Sequence, residues 1–162
     1  MQPAGYSRTQ IILHWVIFLL VAGQFVFHDG IAEAWRTWRQ TQVTTLTPLA
    51  IGHLAGGTLI LILVLWRLQI RRTRGVPSHA EGGSAIQNTI ANATHWALYA
   101  LLVLVPLTGL VAWVGGIETS GDAHELLKNI LFFVVLLHFV GAIYNQFFLK
   151  NHLFARMMKA RD

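Results

Sequence analysis

Four long apolar stretches, separated by segments that carry most of the charge, set the pattern of this chain. They run from about Thr9 to Phe27, Leu49 to Leu68, Ala93 to Val114 and Ala123 to Leu149. Each is close to the roughly 20 residues a helix needs to cross the hydrocarbon core of a bilayer. Backbone groups in lipid must be satisfied within the segment itself, so all four are predicted to be helices. The expected fold class is all-α, an integral membrane four-helix bundle forming one domain over residues 1–162. No internal repeat is visible.

The polar segments refine this picture. Asp29 to Pro48 contains Trp35, Trp38, Arg36 and Arg39, which reads as a short amphipathic helix lying at an interface. The segment from Arg71 to Asn92 is rich in Gly, Ser, Thr and Arg and is expected to be irregular. Pro106 is expected to kink the third helix, which membrane bundles tolerate. Ala32-Glu33-Ala34 imitates a signal-cleavage site, but the apolar run before it is longer than a usual signal core and contains His14 and Trp15. A retained transmembrane helix is therefore the preferred reading over a cleaved leader.

Only 12% of the 162 residues are charged and 54% are hydrophobic, against about 25% charged in a typical soluble domain. The net charge of +5 suits nucleic acid or an anionic lipid surface; the apolar stretches decide for lipid, and no nucleic-acid partner is expected. Arg8, Arg67, Arg71, Arg72, Arg74, Lys150, Arg156, Lys159 and Arg161 fall on one side if the helices alternate. The other side has only Arg36, Arg39 and Lys128, with Asp29, Glu33, Glu118, Asp122 and Glu125 nearby. Positive charge marks the cytoplasmic side, so both termini are expected there. The chain has no cysteine, which excludes disulfides, iron–sulfur clusters and thiolate-ligated haem.

Candidate chemistry lies in histidines within the apolar stretches, where an ionisable residue is costly and commonly functional. With alternating helices, His53 and His124 belong to an outer layer, and His14 and His95 to an inner one. His138 follows His124 by 14 residues, about 21 Å further along a helix and only about 40° around it. In a core about 30 Å thick, that puts His138 roughly 9 Å from the inner surface, in the layer of His14. Two pairs result, His53 with His124 and His14 with His138. Such pairs suit the axial ligation of two haems b between facing helices, stacked as an electron path across the membrane. Zinc prefers three or four protein ligands and fits two histidines per layer poorly.

Gly52, Gly56 and Gly57 beside His53, and Gly141 one turn after His138, offer room for a flat group, although small residues are also ordinary at membrane helix contacts. Arg8 or Arg67 inside, and Lys128 or Arg39 outside, are candidates for propionates, with plain interfacial anchoring as the alternative for each. His95 is an alternative ligand, a propionate partner or an inner proton donor to quinone, or simply a helix-end residue facing headgroups. Glu125 and Asp122 are the outer proton-donor candidates. His28 is expected at the interface, and His79 and His152 at the surface.

Tyr6-Ser7-Arg8, Gln10 and His14-Trp15 resemble the opening of bacterial cytochrome b561. Gly52-His53 is similar to its second helix. His95-Trp96-Ala97-Leu98-Tyr99 with Pro106-Leu107-Thr108-Gly109 is similar to its third, and Ala123-His124-Glu125 with His138 to its fourth. The resemblance covers nearly the whole chain. It implies a four-helix, di-haem b protein of the bacterial inner membrane, ligated by His14, His53, His124 and His138, that exchanges electrons with ubiquinone or menaquinone. It also implies two kinds of outer donor: superoxide, as in members that act as superoxide oxidases, or a periplasmic redox protein for which the cytochrome is the membrane anchor. The segment between helices three and four, Gly115 to Asp122, is short and leaves little outer surface there. A non-redox membrane adaptor, in which the histidines pack or relay protons, is the remaining alternative; it does not account for matched pairs.

Overall fold

The computed structural model describes residues 3–78, 84–151 and 153–160. His79, Arg161 and His152 lie outside the described residues. Six helices follow in order: α1 (Arg8–Val26), α2 (Asp29–Thr41), α3 (Pro48–Arg74), α4 (Ala85–Gly115), α5 (Glu118–Phe147) and α6 (Leu153–Arg156). Four of them, α1, α3, α4 and α5, are long and apolar enough to cross a membrane, and each overlaps one of the four predicted stretches. No strand occurs among the described residues.

Local signals explain where the helices start. Ser7 and Gln10 form a reciprocal capping box at α1, Ser84 and Gln87 form another at α4, and Thr47 caps α3 just ahead of Pro48. Each satisfies amide groups that the first turn leaves without a partner. The helices outrun the apolar stretches. Of the segment 71–92, expected to be irregular, residues 71–74 and 85–92 are helical: α3 carries on to Arg74 and α4 begins at Ala85. Polar residues do not stop a helix once it has left the lipid, and the second capping box gives α4 an early start. At the other end, Gly116 takes φ +62° and closes α4, a left-handed conformation that suits glycine. The connection to α5 thereby shrinks to Gly116 and Ile117. The helix α4 continues through Pro106.

In the bundle α3 packs between α1 and α4, and α4 packs most extensively on α5. A small core joins Leu13, Ile17 and Val21 of α1 to Ile60 and Val64 of α3. These sit at helical intervals on facing stripes. Most other large apolar side chains, Phe133, Leu137 and Val140 of α5 among them, are exposed, as expected where lipid covers the outside. The predicted amphipathic segment is α2. It crosses the end of the bundle where α1 finishes and α5 begins. Gly121 and Gly116 admit its Trp35 and Trp38, since a Cβ at either glycine would lie 2.7 and 3.0 Å from those rings. The two tryptophans stack at 4.7 Å, and Arg39 reaches Glu118 at 3.3 Å and Asp122 at 3.6 Å.

Two histidine layers as the candidate functional site

The histidines of the spans gather at two levels. In the layer under α2, His53 of α3 faces His124 of α5 with ring centroids 6.4 Å apart. In the other layer, His14 of α1 faces His138 of α5 at 6.2 Å. With a metal–nitrogen bond of about 2 Å, two imidazoles sharing one metal have their centroids roughly 6 Å apart. Both pairs have that spacing. The helix α5 contributes one ring to each, as the 14-residue interval predicted, and between the layers Phe132 of α5 contacts Phe25 of α1 at 5.7 Å. Among the described residues, no group of three or more His, Asp or Glu side chains is arranged for a bare metal ion.

The layer under α2 opens on two adjoining cavities. A cavity of about 120 Å³ is lined by His53, His124, Trp35, Trp113, His28 and Glu125, among others. A second, of about 60 Å³, shares His53, His124, Gly57 and Pro106 and adds Gln24 and Lys128. The donor set around these cavities suits haem. His53 Nδ1 and Gln24 Oε1 are buried without a hydrogen-bond partner, although both residues line the smaller cavity. A Cβ at Gly57 would meet nothing within 4 Å, so the wall there is open. Gly56 serves a different purpose. A Cβ there would lie 2.2 Å from Gln24 Nε2, so this glycine makes room for the glutamine. It is absent from the residues lining either cavity.

His124 is oriented by α4. Its Nδ1 lies 2.8 Å from the Val105 carbonyl oxygen. A carbonyl accepts only, so Nδ1 carries the proton and Nε2 keeps its lone pair, the atom of a neutral imidazole that is able to bind a metal. Gly109 makes this approach possible, because a Cβ there would stand 2.9 Å from Nδ1. The similarity around Pro106 to Gly109 thus has a physical content that spacing alone did not reveal.

His28 also belongs to this layer. Its ring lies 6.0 Å from that of His53, and its Nε2 lies 3.2 Å from Lys128 Nζ. Burial first, and the Lys128 ammonium second, hold His28 below its ordinary pKa, in keeping with a neutral ring accepting from the ammonium. Lys128 also donates to Glu125 at 2.9 Å. Its neighbour α2 carries the exposed ion pair of Arg36 and Glu33. Asp122 is engaged by Arg39 at the rim.

The second layer is held by polar clamps. His95 of α4 lies 5.4 Å from His138, so three imidazoles meet there. Arg67 of α3 donates from Nε to the Tyr99 hydroxyl at 3.1 Å and from Nη1 to the Gln10 carbonyl at 2.6 Å. Gln10 in turn donates to the Gly75 carbonyl at 3.0 Å, tying the start of α1 to the end of α3. Arg8 opens α1 at this same end. A Cβ at Gly141, one turn from His138, would meet nothing within 4 Å. The C-terminal segment folds back beneath the layer. Trp15 Nε1 donates to the Met157 carbonyl at 3.0 Å, and the Trp15 ring stands edge-on to His14 at 5.3 Å. Asn151 donates to Asn145 at 2.8 Å.

His28, Gly109 and Trp15 were missed as site residues by sequence reasoning. The motifs around Gly109 and Trp15 were the available signals; for His28, only its place just beyond α1 was.

Comparison with known proteins adds to the geometry. The family model of prokaryotic cytochrome b561 matches residues 5–160. A cytochrome b562 from Cereibacter sphaeroides is 35% identical over 163 residues, covering 99% of both chains. A probable superoxide oxidase from Yersinia pestis is 26% identical over 94% of this chain and 95% of its own. A cytochrome b561 homologue from Escherichia coli is 27% identical over 96% and 98%.

Proposed function

Because this chain belongs to the prokaryotic cytochrome b561 family, a family of haem b proteins of membrane electron transfer, we propose that it is a di-haem carrier passing electrons between an outer donor and membrane quinone. It is a multi-pass protein of the bacterial inner membrane. In this reading His53 and His124 hold the outer haem, His14 and His138 hold the inner one, and both termini are cytoplasmic. The observation that carries it is the pair of near-equal ring separations, 6.4 and 6.2 Å, at two levels of one helix.

Bound haem supplies a reversible one-electron couple at its iron, tuned by axial ligands, hydrogen bonding and burial. The protein supplies the rest. Val105 fixes the His124 tautomer, and the Trp35–Trp38 stack shields the outer layer from water. Arg67 and Lys128 place cationic charge beside the inner and outer layers, where propionates would need it. Reduction of quinone consumes protons as well as electrons. His95, beside His138, is the inner proton donor in this reading, and Glu125, held by Lys128, is the outer acid nearest the cavity.

Two donors remain in view. An anion such as superoxide is best steered by a net cationic rim. Here Arg36, Arg39 and Lys128 are each paired with a carboxylate, which favours a docked periplasmic redox protein. Rapid mixing with superoxide separates the two: no haem reduction on that time scale supports the protein donor.

The first test is the reduced-minus-oxidised spectrum of the purified protein with its haem-to-protein ratio. Two low-spin haems b per chain are expected. Absence of haem after expression with ample haem supply overturns the assignment.

A further inference from the structure

At the inner end of the bundle α3 places Arg67, Arg71 and Arg74 four and three residues apart, on one helix face. Arg67 is committed to Tyr99 and Gln10. Arg71 is held differently. Its guanidinium lies 5.3 Å from the Trp96 ring centroid and 5.7 Å from that of Tyr99. Stacking on an aromatic face fixes the plane of the guanidinium but uses none of its five N–H donors. No carboxylate among the described residues pairs with Arg71 or with Arg72 beside it. A planar cationic fork, oriented in advance and lacking an acid, matches a phosphate.

The neighbouring helix α4 supplies the other half of a ligand site. Trp96 is 54% exposed, and Leu104 and Leu107 are 45% and 41% exposed. They fall within about 80° of arc and extend over about 16 Å of helix, close to one leaflet of a core about 30 Å thick. An apolar stripe of that length, headed by an aromatic-backed arginine at the membrane edge, has the layout of a lipid with an anionic headgroup.

We propose that the corner between the inner ends of α3 and α4 binds an anionic phospholipid, its phosphate held by Arg71 and its acyl chain lying along the stripe from Trp96 to Leu107. Arg72 adds charge. A basic residue near any membrane surface attracts anionic lipid; this corner differs in that the aromatic pair has already ordered the guanidinium, so binding one headgroup costs less side-chain entropy. The site involves none of the histidines, although Tyr99, which backs Arg71, also accepts from Arg67.

The test is native mass spectrometry of the full-length protein in neutral detergent, titrated with dioleoyl phosphatidylglycerol and, in parallel, dioleoyl phosphatidylcholine. The wild type is expected to retain the anionic lipid preferentially. Arg71→Gln weakens that binding by about fivefold or more, the contribution of one basic group near a charged surface. Arg71→Lys keeps the charge without the fork and falls between. Trp96→Leu keeps the apolar stripe but removes the ring under Arg71, and loses preference while the protein remains helical by circular dichroism. Arg36→Gln, on the outer helix, leaves the preference intact, and inorganic phosphate at tens of millimolar (roughly an ordinary buffer's ionic strength) does not displace the lipid. Undiminished preference in Arg71→Gln and Trp96→Leu overturns the proposal, as does an equal loss in Arg36→Gln. Displacement by inorganic phosphate overturns the lipid assignment in favour of a small-anion site.

Discussion

The two histidine layers reach nearly the same ring separation by different construction. Under α2, His53 and His124 stand across open volume, and the surrounding groups are lids and spacers: stacked tryptophans, Gly57 on the wall, Gly109 behind His124. In the other layer His14 and His138 are joined by a third ring, His95, and fastened by Arg67, Tyr99, Gln10 and the returning C-terminal segment. The first layer is specified by what has been left out, the second by what has been tied in. A close approach that a glycine permits is lost with a single added carbon, as at Gly109 behind His124. Clamps are made by hydrogen bonds worth about 1 kcal/mol each and fail one at a time. The layers should therefore respond differently to substitution.

The largest effects come from the proposed ligands. His124→Ala is expected to remove the haem of the layer under α2, and His14→Ala that of the other, each lowering the haem-to-protein ratio by about one haem per chain. The pyridine haemochrome of each purified variant reads this directly. If either single variant loses both haems, the layers are not independent and the comparison breaks.

Next is Gly109→Ala. The new carbon would collide with His124 Nδ1 and part it from Val105. Loss of such a supporting contact typically costs about 10–100-fold in metal affinity. Haem should leave the layer under α2 on dilution or washing while the other layer keeps its own. Equal retention in both layers would show that His124 does not need its carbonyl partner.

A smaller effect is expected at Trp15→Phe. An aromatic ring remains, but the bond to Met157 is lost, at a cost of about 1 kcal/mol. Thermal unfolding should shift by a few degrees, and spectral or electron paramagnetic resonance changes should be confined to the haem of the His14 layer. A change confined to the other haem would contradict the strap. The smallest is Arg39→Gln. Its ion pairs with Glu118 and Asp122 are half exposed, and such pairs contribute about 0–1 kcal/mol, less in high salt. Stability should hardly move. A large loss would mean that α2 is fastened mainly by charge, not by its tryptophans.

Much of this architecture was legible in the sequence because lipid imposes one rule on every residue of a span. Uninterrupted apolar length marks a helix, and His124 and His138 were placed at two depths on one side of α5 by helical arithmetic alone. The reading failed where lipid no longer applies. Outside the bilayer, composition suggested an irregular segment, yet α3 and α4 extend to Arg74 and from Ala85 because capping and continued hydrogen bonding outweigh polarity. The expected interfacial helix was found as α2, but not its reach over the cavity, since Trp35 and Trp38 sit there only by meeting Gly121 and Gly116 more than 70 residues away.

The sequence by itself determined the four spans, the two levels of the histidines within them, the absence of thiolate chemistry and the asymmetry of charge. All are local, or follow from position along a helix axis. The partners across the bundle were decided only by the tertiary structure: His28 on Lys128, Arg67 on Tyr99 and Gln10, Trp15 on Met157, Val105 on His124. Rotation of each helix about its axis and the closest approach of two backbones depend on how small residues are apportioned between facing surfaces. Gly109 and Gly56 therefore disclose their purpose only when His124 and Gln24 arrive opposite them.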